Sequence, residues 1–206
     1  MSPLDVEPLG AANADAWAAL FERAASPCFC RFWHFGGTKN EWLARCAMEP
    51  DLNASEARRA IATGEESALG LVALERDTKG ARAVGWMKTA PRASLPKLRG
   101  LAIYRGRELG DDDGVFALGC FLVDPTVRRR GVAGALLDAA PGFVRARGGR
   151  AIEAYPRHAH ESAAGRLHDE EAMMGPEALF TKRGYVRVDE GSPLSLAQYP
   201  VYRLVL

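Results

Sequence analysis

Residues 115–134 read VFALGCFLVDPTVRRRGVAG, and three local signals follow one another within this short stretch. The first nine residues form a strongly hydrophobic run, which is typical of a buried β-strand. Asp124 and Pro125 end that strand, because proline cannot donate a hydrogen bond to a neighbouring strand. Gly131 then permits a tight turn, and a helix is predicted to begin there. The stretch therefore predicts a strand, a turn and a helix in direct succession.

The predicted turn has the composition of an anion-binding site. The first turn of a helix presents unpaired N–H groups and the positive end of the helix dipole, which suit a diphosphate. Arg128, Arg129 and Arg130 would add charge-assisted hydrogen bonds to such a ligand. A Walker loop is excluded because no Gly-Lys-Ser/Thr ends the turn, and a dinucleotide fingerprint is also absent. Outside this setting, three consecutive arginines are more typical of a solvated basic face or a nucleic-acid contact.

The segments on either side of this stretch extend the pattern to an α/β fold. A helix is predicted over residues 131–147 and a strand over residues 151–155, so that the two strands joined by the helix should be parallel. Gly119, inside the first strand, marks a bulge or a close approach of the backbone. Residues 69–75 and 83–90 are predicted to form a hairpin, and residues 185–189 and 201–206 the closing strands. One domain over residues 1–206 is expected, with the sheet in residues 67–206.

Residues 1–66 are predicted to form a helical cover over the sheet, with helices at 13–24, after Asn40 and after Asn53. Between the first two helices lies an aromatic, cysteine-rich stretch at residues 28–37. Its aromatic side chains are interpreted either as the lining of an acceptor pocket or as packing of the N-terminal region on the sheet; they are Phe32, Trp33 and Phe35.

Bulk composition limits the classes of function. Lys plus Arg (27) nearly cancels Asp plus Glu (26), so no global field attracts nucleic acid or an anionic membrane. No apolar run approaches the roughly 20 residues of a membrane span, and the N-terminus lacks the features of a signal peptide. The four cysteines are too few for a secreted disulfide framework, so a cytoplasmic location is expected. No metal is expected either, since Cys28-x-Cys30 with His34 lacks a second ligand pair.

The sequence is similar to a known family. Arg128-x-x-Gly131-x-Ala133 after an apolar strand resembles the acyl-CoA signature of the GNAT superfamily of N-acetyltransferases. The resemblance extends over about residues 28–206 and includes Gly85-Trp86 and the block from Gly175 to Tyr185. It implies a mixed, mostly antiparallel sheet, flanked by helices, in which two central parallel strands splay apart. It also implies acetyl-CoA as co-substrate.

The resemblance carries a set of site residues with it. It implies that acetyl-CoA binds along one strand and at the following turn, at Phe121, Leu122, Val123, Arg128, Arg129, Arg130, Gly131, Val132, Ala133 and Gly134. Glu153 is a candidate base or amine-binding residue if its side chain faces the cleft; otherwise it is a polar residue at a strand edge or in a buried pair. His158 is a candidate on the acceptor side.

One position departs from the family pattern. Phe180 stands where many members place a tyrosine as the acid for the departing thiolate. Tyr155 is a candidate replacement, beside Tyr185, Cys120 and water, and the thiolate can also leave unprotonated because an ordinary thiol pKa is about 8.5.

The function expected is transfer of an acetyl group from acetyl-CoA to a small-molecule or peptide amine by direct attack in a ternary complex. The alternatives are a non-catalytic acyl-CoA-binding sensor and, more weakly, a nucleic-acid-binding module that uses Arg128–Arg130. A homodimer formed through an exposed C-terminal strand is an open expectation.

Overall fold

The computed structural model describes residues 4–78, 80–100, 110–156, 172–188 and 200–206. Their strands form one seven-stranded sheet in the order β1-β2-β3-β4-β5-β7-β6. The strands are β1 (Asp5–Pro8), β2 (Gly70–Asp77), β3 (Gly80–Pro91), β4 (Val115–Val123), β5 (Ala151–Ala154), β6 (Val186–Arg187) and β7 (Tyr202–Val205). Within these residues β4 and β5 pair in parallel and every other neighbouring pair is antiparallel. The predicted mixed, mostly antiparallel α/β fold is therefore confirmed.

Helices cover both faces of the sheet. They are α1 (Ala14–Arg23), α2 (Lys39–Met48), α3 (Pro50–Thr63), α4 (Pro96–Gly100), α5 (Val132–Arg145) and α6 (Glu177–Thr181). Alternate side chains of β2 belong to opposite cores: Val72 and Leu74 pack with α1 and α3, whereas Leu71 and Ala73 pack with α5. Within the described residues, no helix is long and apolar enough to cross a membrane.

Local chemistry explains where the N-terminal helices begin and end. Thr38 caps α2 in a capping box with Glu41, whose carboxylate accepts from the Thr38 amide. Helix α3 starts with Pro50 and ends at Gly64, which has the left-handed φ of 70°. The predicted start after Asn53 is wrong, because Asn53 lies inside α3 with a buried amide that donates to the Pro27 carbonyl at 3.0 Å.

Helix α5 packs closely on the sheet. Its buried side chains repeat at helical spacing and include Leu136, Leu137, Ala140 and Val144. A Cβ on Gly85 of β3 would lie 2.4 Å from Val132 Cγ1, so this glycine permits the close approach. The helix continues through Pro141 to Arg145. The first turn of α5 is thereby fixed next to the end of β4.

The interpretation of residues 1–66 as purely helical needs one correction. Residues Asp5–Pro8 form β1, which pairs antiparallel with β2 from Asp5 opposite Leu74 to Pro8 opposite Leu71. A four-residue edge strand is too short to give a recognisable alternation of apolar and polar residues.

Candidate active site

A cleft opens where β5 stops following β4. The parallel pairing covers Val115 to Ala117 of β4, opposite Ala151 to Glu153 of β5, whereas β4 continues to Val123. Phe121, Leu122 and Val123 line a cavity of about 1040 Å³ beyond this point. The predicted splaying of the two central parallel strands therefore creates the cavity.

A β-bulge shapes the wall of this cavity. Lys88 lies opposite Cys120 and Thr89 opposite Leu118, which leaves Gly119 without a partner on β3. A Cβ at Gly119 would lie 2.9 Å from Trp33 Nε1 and 3.0 Å from Lys88 Cγ. The prediction of a bulge or a close backbone approach at Gly119 is confirmed on both counts.

The turn between β4 and α5 forms one end of the cavity, and residues 128–135 all line it. Gly131 precedes α5 with φ of 84°, and Arg129 adopts the left-handed φ of 62°. That conformation costs a non-glycine residue about 1–3 kcal/mol, and such strained residues cluster at functional sites. The predicted cofactor residues of this turn, including Arg128, Arg130 and Val132 to Gly134, are thus brought together at one cavity wall.

Arg183 is a cavity residue that the sequence analysis missed. Its Nε donates to Asp138 Oδ1 at 2.6 Å, and both residues line the cavity. A Cβ on Gly134 would lie 2.5 Å from Arg183 Nη2, so the guanidinium rests directly on the first turn of α5. No local pattern links residues so far apart in the chain, and only the fold reveals their proximity.

Asp124 connects the arginine turn to α1 and β3. Its carboxylate accepts from Arg23 Nε at 2.9 Å and Arg82 Nη2 at 2.7 Å, and also from the amide and hydroxyl of Thr126. Burial alone would raise the pKa of Asp124, but the hydrogen bonds from Thr126 and Arg23 and the charge of Arg82 hold that pKa well below its usual range. Arg23 ends α1, and residues 24–28, which follow it, line the cavity.

The aromatic segment does not line this cavity. Trp33 is buried against the β4 bulge, while the rings of Phe32 and Phe35 lie 5.6 and 5.2 Å from that of Trp42. The structure therefore favours the packing interpretation of Phe32, Trp33 and Phe35 over an acceptor pocket. Cys28, at the beginning of the segment, does line the cavity.

Glu153 and Tyr155 lie in a buried polar network away from the cavity lining. Glu153 is fully buried; it accepts from Arg92 Nη1 at 2.9 Å on both oxygens, from Arg203 Nε at 3.0 Å and from the Tyr155 hydroxyl at 2.7 Å. Arg92 also pairs with Asp112. The Glu153 carboxylate is enclosed by these donors and neither residue lines the cavity, so the geometry does not favour Glu153 as base or Tyr155 as acid. Their catalytic role stays a prediction.

Of the remaining candidates, Cys120 lines the cavity, whereas Phe180 and Tyr185 pack against each other. His158 lies outside the described residues. Phe180 is buried between Phe121 and Tyr185, with ring centroids at 6.1 and 5.5 Å. Burial raises the pKa of Tyr185, whose hydroxyl has no hydrogen-bond partner among the described residues. Nor does any group of three or more His, Cys, Asp or Glu side chains in the described part of the chain form a metal site.

The fold and site define an α/β protein whose two central parallel strands diverge into a cleft, with arginines and a helix start at one end of that cleft. The sequence matches the model of the acetyltransferase (GNAT) family over residues 38–171. That match spans more than half of the chain, and the protein therefore belongs to the acetyltransferase (GNAT) family.

Solved structures agree with this fold. A GNAT-family protein from Desulfovibrio desulfuricans aligns with a TM-score of 0.52 and 15% identity, over 98% of this chain and 99% of that one. The GNAT domain of S. lividans PAT aligns with a TM-score of 0.53 and 18% identity, over 98% of this chain and 89% of that one. YncA from Salmonella typhimurium, whose structure contains acetyl-CoA, aligns with a TM-score of 0.50 and 14% identity, over 98% of this chain and 94% of that one. No curated protein matches the sequence.

Proposed function

We propose that the protein transfers an acetyl group from acetyl-CoA to an amine acceptor by direct attack in a ternary complex. This proposal rests on one observation: a single cavity extends from the arginine turn to the edge of β4 that β5 leaves unpaired. Its lining includes Arg128 to Ala135 at one end and Cys120 to Val123 along the strand. An elongated ligand with a diphosphate at one end and a thioester at the other matches this arrangement.

The arginine turn suits the diphosphate. Guanidinium groups and helix-start amides both favour phosphate oxygens. Arg129 and Arg130 are exposed, and the surrounding structure holds the backbone of Arg129 in its left-handed conformation. A turn that is already ordered loses less conformational entropy when the ligand binds.

The unpaired edge of β4 suits the pantetheine arm and the thioester. Among the described residues, Phe121 to Val123 pair with β3 but not with β5, so their backbone groups on the β5 side can bond to the arm. A backbone N–H aimed at the thioester oxygen would stabilise the negative charge that develops there, an effect worth about 3 kcal/mol of barrier. In the reaction the acceptor nitrogen forms a bond to the carbonyl carbon, the carbon–sulfur bond breaks, and the amine loses one proton as the thiolate leaves.

The acceptor would enter past residues 24–28, which line the cavity together with Cys120 to Val123 of β4. This route places the amine beside Cys28 and Cys120 rather than beside Glu153. We therefore assign Glu153 to the structural network with Arg92 and Arg203, and assign the rate of the reaction chiefly to positioning of acceptor and thioester.

Replacement of Arg130 by alanine tests the cofactor site. Removing one charge-assisted hydrogen bond to a phosphate costs about 1.5–3 kcal/mol, so the Kd for acetyl-CoA should rise about tenfold or more. Calorimetry with acetyl-CoA gives this value directly. Arg145→Ala, at the far end of the same helix, is the matched control and should leave Kd unchanged. Equal Kd values for Arg130→Ala and the wild type would contradict the proposal.

A non-catalytic acyl-CoA-binding sensor is the second candidate. The observation in its favour is Phe180, which cannot donate a proton to a thiolate and is buried beside Phe121. A thiol-release assay with acetyl-CoA and a panel of small amines and peptides separates the two functions. Thiol release that depends on an amine supports the transferase, and tight binding without release supports the sensor.

A further inference from the structure

The charges that line the cavity lie together in one part of it. Of the described lining residues, the charged ones belong to the arginine turn, to α5 or to the segment that rests on the first turn of α5: Arg128, Arg129, Arg130, Asp138 and Arg183. Asp138 and Arg183 neutralise each other, because Arg183 Nε donates to Asp138 Oδ1 at 2.6 Å. Most of the charge on the lining is therefore positive and lies at the end assigned to the diphosphate.

Uncharged side chains make up the rest of the described lining, and most of them are apolar. They include Phe21, Pro27, Cys28, Leu122, Met173 and Leu179. Ser26 contributes a hydroxyl, but its Oγ lies 3.3 Å from Cys28 Sγ, so these two polar groups interact with each other. A ligand in this part of the cavity would contact mainly apolar surface.

The segment after α1 provides part of this apolar lining. Cys28 of this segment and Cys120 of β4 both line the cavity and pack against the same core cluster. Further along the chain, Trp33 packs against Gly119 of β4. Along β4, Cys120 comes before Phe121 to Val123 and the arginine turn comes after them, so Cys28 and Cys120 mark the end of the cavity that is away from the arginines.

The segment that precedes α6 provides another part of the lining at this end. Ala172–Met174 form a short 3₁₀ helix that contacts β4. A Cβ on Gly175 would lie 3.5 Å from Phe121 Cε2, and Met173 lines the cavity. Met174 packs against the same core cluster as the two cysteines. Methionine is apolar and unbranched, so it adapts to the shape of a ligand.

These residues define an apolar end of the cavity, marked by Cys28, Cys120 and Met173. In the cofactor arrangement proposed above, the diphosphate lies at the arginine turn and the pantetheine arm lies along Phe121 to Val123. The thioester is the last part of this ligand and would reach the apolar end. The acceptor nitrogen must contact the thioester carbon in order to react, so the body of the acceptor would lie against the apolar lining.

On the basis of the acetyl transfer proposed above, we propose that the acceptor is a small primary amine with an uncharged apolar body, held at the apolar end by Cys28, Cys120 and Met173. Burial of an apolar body is favourable, whereas burial of a second, unpaired charge is costly. Apolar surroundings also lower the pKa of the bound ammonium group and so favour the neutral nucleophile. The neutral nitrogen bonds to the acetyl carbon, the carbon–sulfur bond breaks, and one amine proton passes to water.

A comparison of hexylamine with cadaverine tests the class of acceptor. The two amines have chains of equal length, and the terminal methyl group of hexylamine is replaced by a second amino group in cadaverine. In a thiol-release assay with acetyl-CoA, kcat/KM should be at least about tenfold higher for hexylamine, because the second ammonium group of cadaverine would be buried at the apolar end. An equal or higher value for cadaverine overturns the proposed acceptor class and leaves acetyl transfer standing.

Met173→Glu tests where the acceptor body lies. Met173 is 45% exposed, so a carboxylate there is compatible with folding, and it would pair with the second ammonium group of cadaverine. The ratio of kcat/KM for cadaverine to that for hexylamine should rise about tenfold or more. Met48→Glu is the matched control, because Met48 is 80% exposed on α2 and does not line the cavity, and it should keep the wild-type ratio. An unchanged ratio in Met173→Glu overturns the proposed position.

A longer acyl chain on CoA is the rival occupant of the apolar end. If the acceptor body binds there, a hexanoyl chain competes with it for the same space. Thiol release with hexylamine should then be at least about tenfold slower from hexanoyl-CoA than from acetyl-CoA. Equal or faster release from hexanoyl-CoA assigns the apolar end to the acyl chain and overturns the proposal.

The same assays distinguish failure of the acceptor class from failure of acetyl transfer. Thiol release with cadaverine or with a lysine-containing peptide, but not with hexylamine, overturns the acceptor class alone. Tight binding of acetyl-CoA without thiol release for any amine overturns both the acceptor class and the transferase, and supports the sensor. Release that is fastest with hexylamine, together with the altered ratio in Met173→Glu, supports the proposal.

Discussion

At the scale of a single residue, Gly119 sets how closely β4 approaches the N-terminal region. We expect Gly119→Ala to lower the free energy of unfolding by about 1–3 kcal/mol, because the new Cβ would meet Trp33 Nε1 at 2.9 Å and Lys88 Cγ at 3.0 Å. Urea unfolding measures this loss. Both neighbours are buried, so neither can move away freely.

Gly36→Ala is the matched control for this substitution. A Cβ at Gly36 would meet nothing within 4 Å, and its φ is not in the left-handed region. The free energy of unfolding should stay within about 0.5 kcal/mol of the wild type. Equal effects of the two substitutions would show that the bulge tolerates a side chain and that its close packing is not required.

At the scale of elements, Asp124 connects α1, β3 and the arginine turn. Asp124→Asn keeps the shape of the side chain and removes the charge that Arg23 and Arg82 share. We expect the free energy of unfolding to fall by about 1.5–3 kcal/mol, since charged hydrogen bonds to a carboxylate that is 1% exposed are lost. We also expect weaker binding of acetyl-CoA, because the arginine turn loses its connection to α1, and the residues that follow α1 line the same cavity.

Asp15→Asn provides the comparison for Asp124→Asn. Asp15 also pairs with an arginine, Arg58 at 2.8 Å, but its side chain is 96% exposed. Exposed ion pairs contribute about 0–1 kcal/mol, so both stability and binding should change little. Unchanged acetyl-CoA binding in a folded Asp124→Asn protein would contradict the anchoring role.

The depressed pKa of Asp124 also predicts a dependence on pH. An aspartate in an unfolded chain has a pKa of about 3.9, and the folded value is lower, so the unfolded state binds protons first as the pH falls. The stabilisation that ionised Asp124 provides is complete at pH values above its pKa in the unfolded chain, and it is lost as the pH falls below that pKa. Urea unfolding between about pH 5 and pH 2.5 should show a steeper loss in the wild type than in Asp124→Asn. Parallel curves would contradict the assigned cause.

The elements also show what the sequence can predict. The strand, turn and helix across residues 115–145 follow from apolar periodicity and from Asp124, Pro125 and Gly131, which are local signals. The contacts of Arg23, Arg183 and Asp124 depend on chain segments that only folding brings together. The sequence left open whether Glu153 faces the cleft or belongs to a buried pair. Ile152 and Ala154 pack in the core with α5, whereas Glu153 bonds to Arg92 and Arg203, which local reasoning had no means of finding.

At the scale of the whole molecule, Glu153 connects distant parts of the sheet. Arg92 follows β3 and Arg203 lies on β7, so one carboxylate on β5 joins segments far apart in the sequence. Arg92 extends the network to Asp112, next to the start of β4. Breaking a buried charge network by removing one partner costs about 3–5 kcal/mol, because the remaining charges stay buried without compensation.

Glu153→Gln separates this structural role from the predicted catalytic one. If the network is structural, the free energy of unfolding falls by about 3–5 kcal/mol, while the folded protein at low temperature keeps its rate of thiol release within a few fold. If Glu153 is the base, the rate falls by about 10²-fold or more with stability little changed. Glu56→Gln is the control, because Glu56 pairs with Arg45 at 2.7 Å but is 34% exposed, and it should lose about 1 kcal/mol or less. Unfolding curves and thiol-release rates of the two variants decide between the roles. A structural carboxylate affects mainly the free energy of unfolding, whereas a catalytic base affects mainly the rate of thiol release.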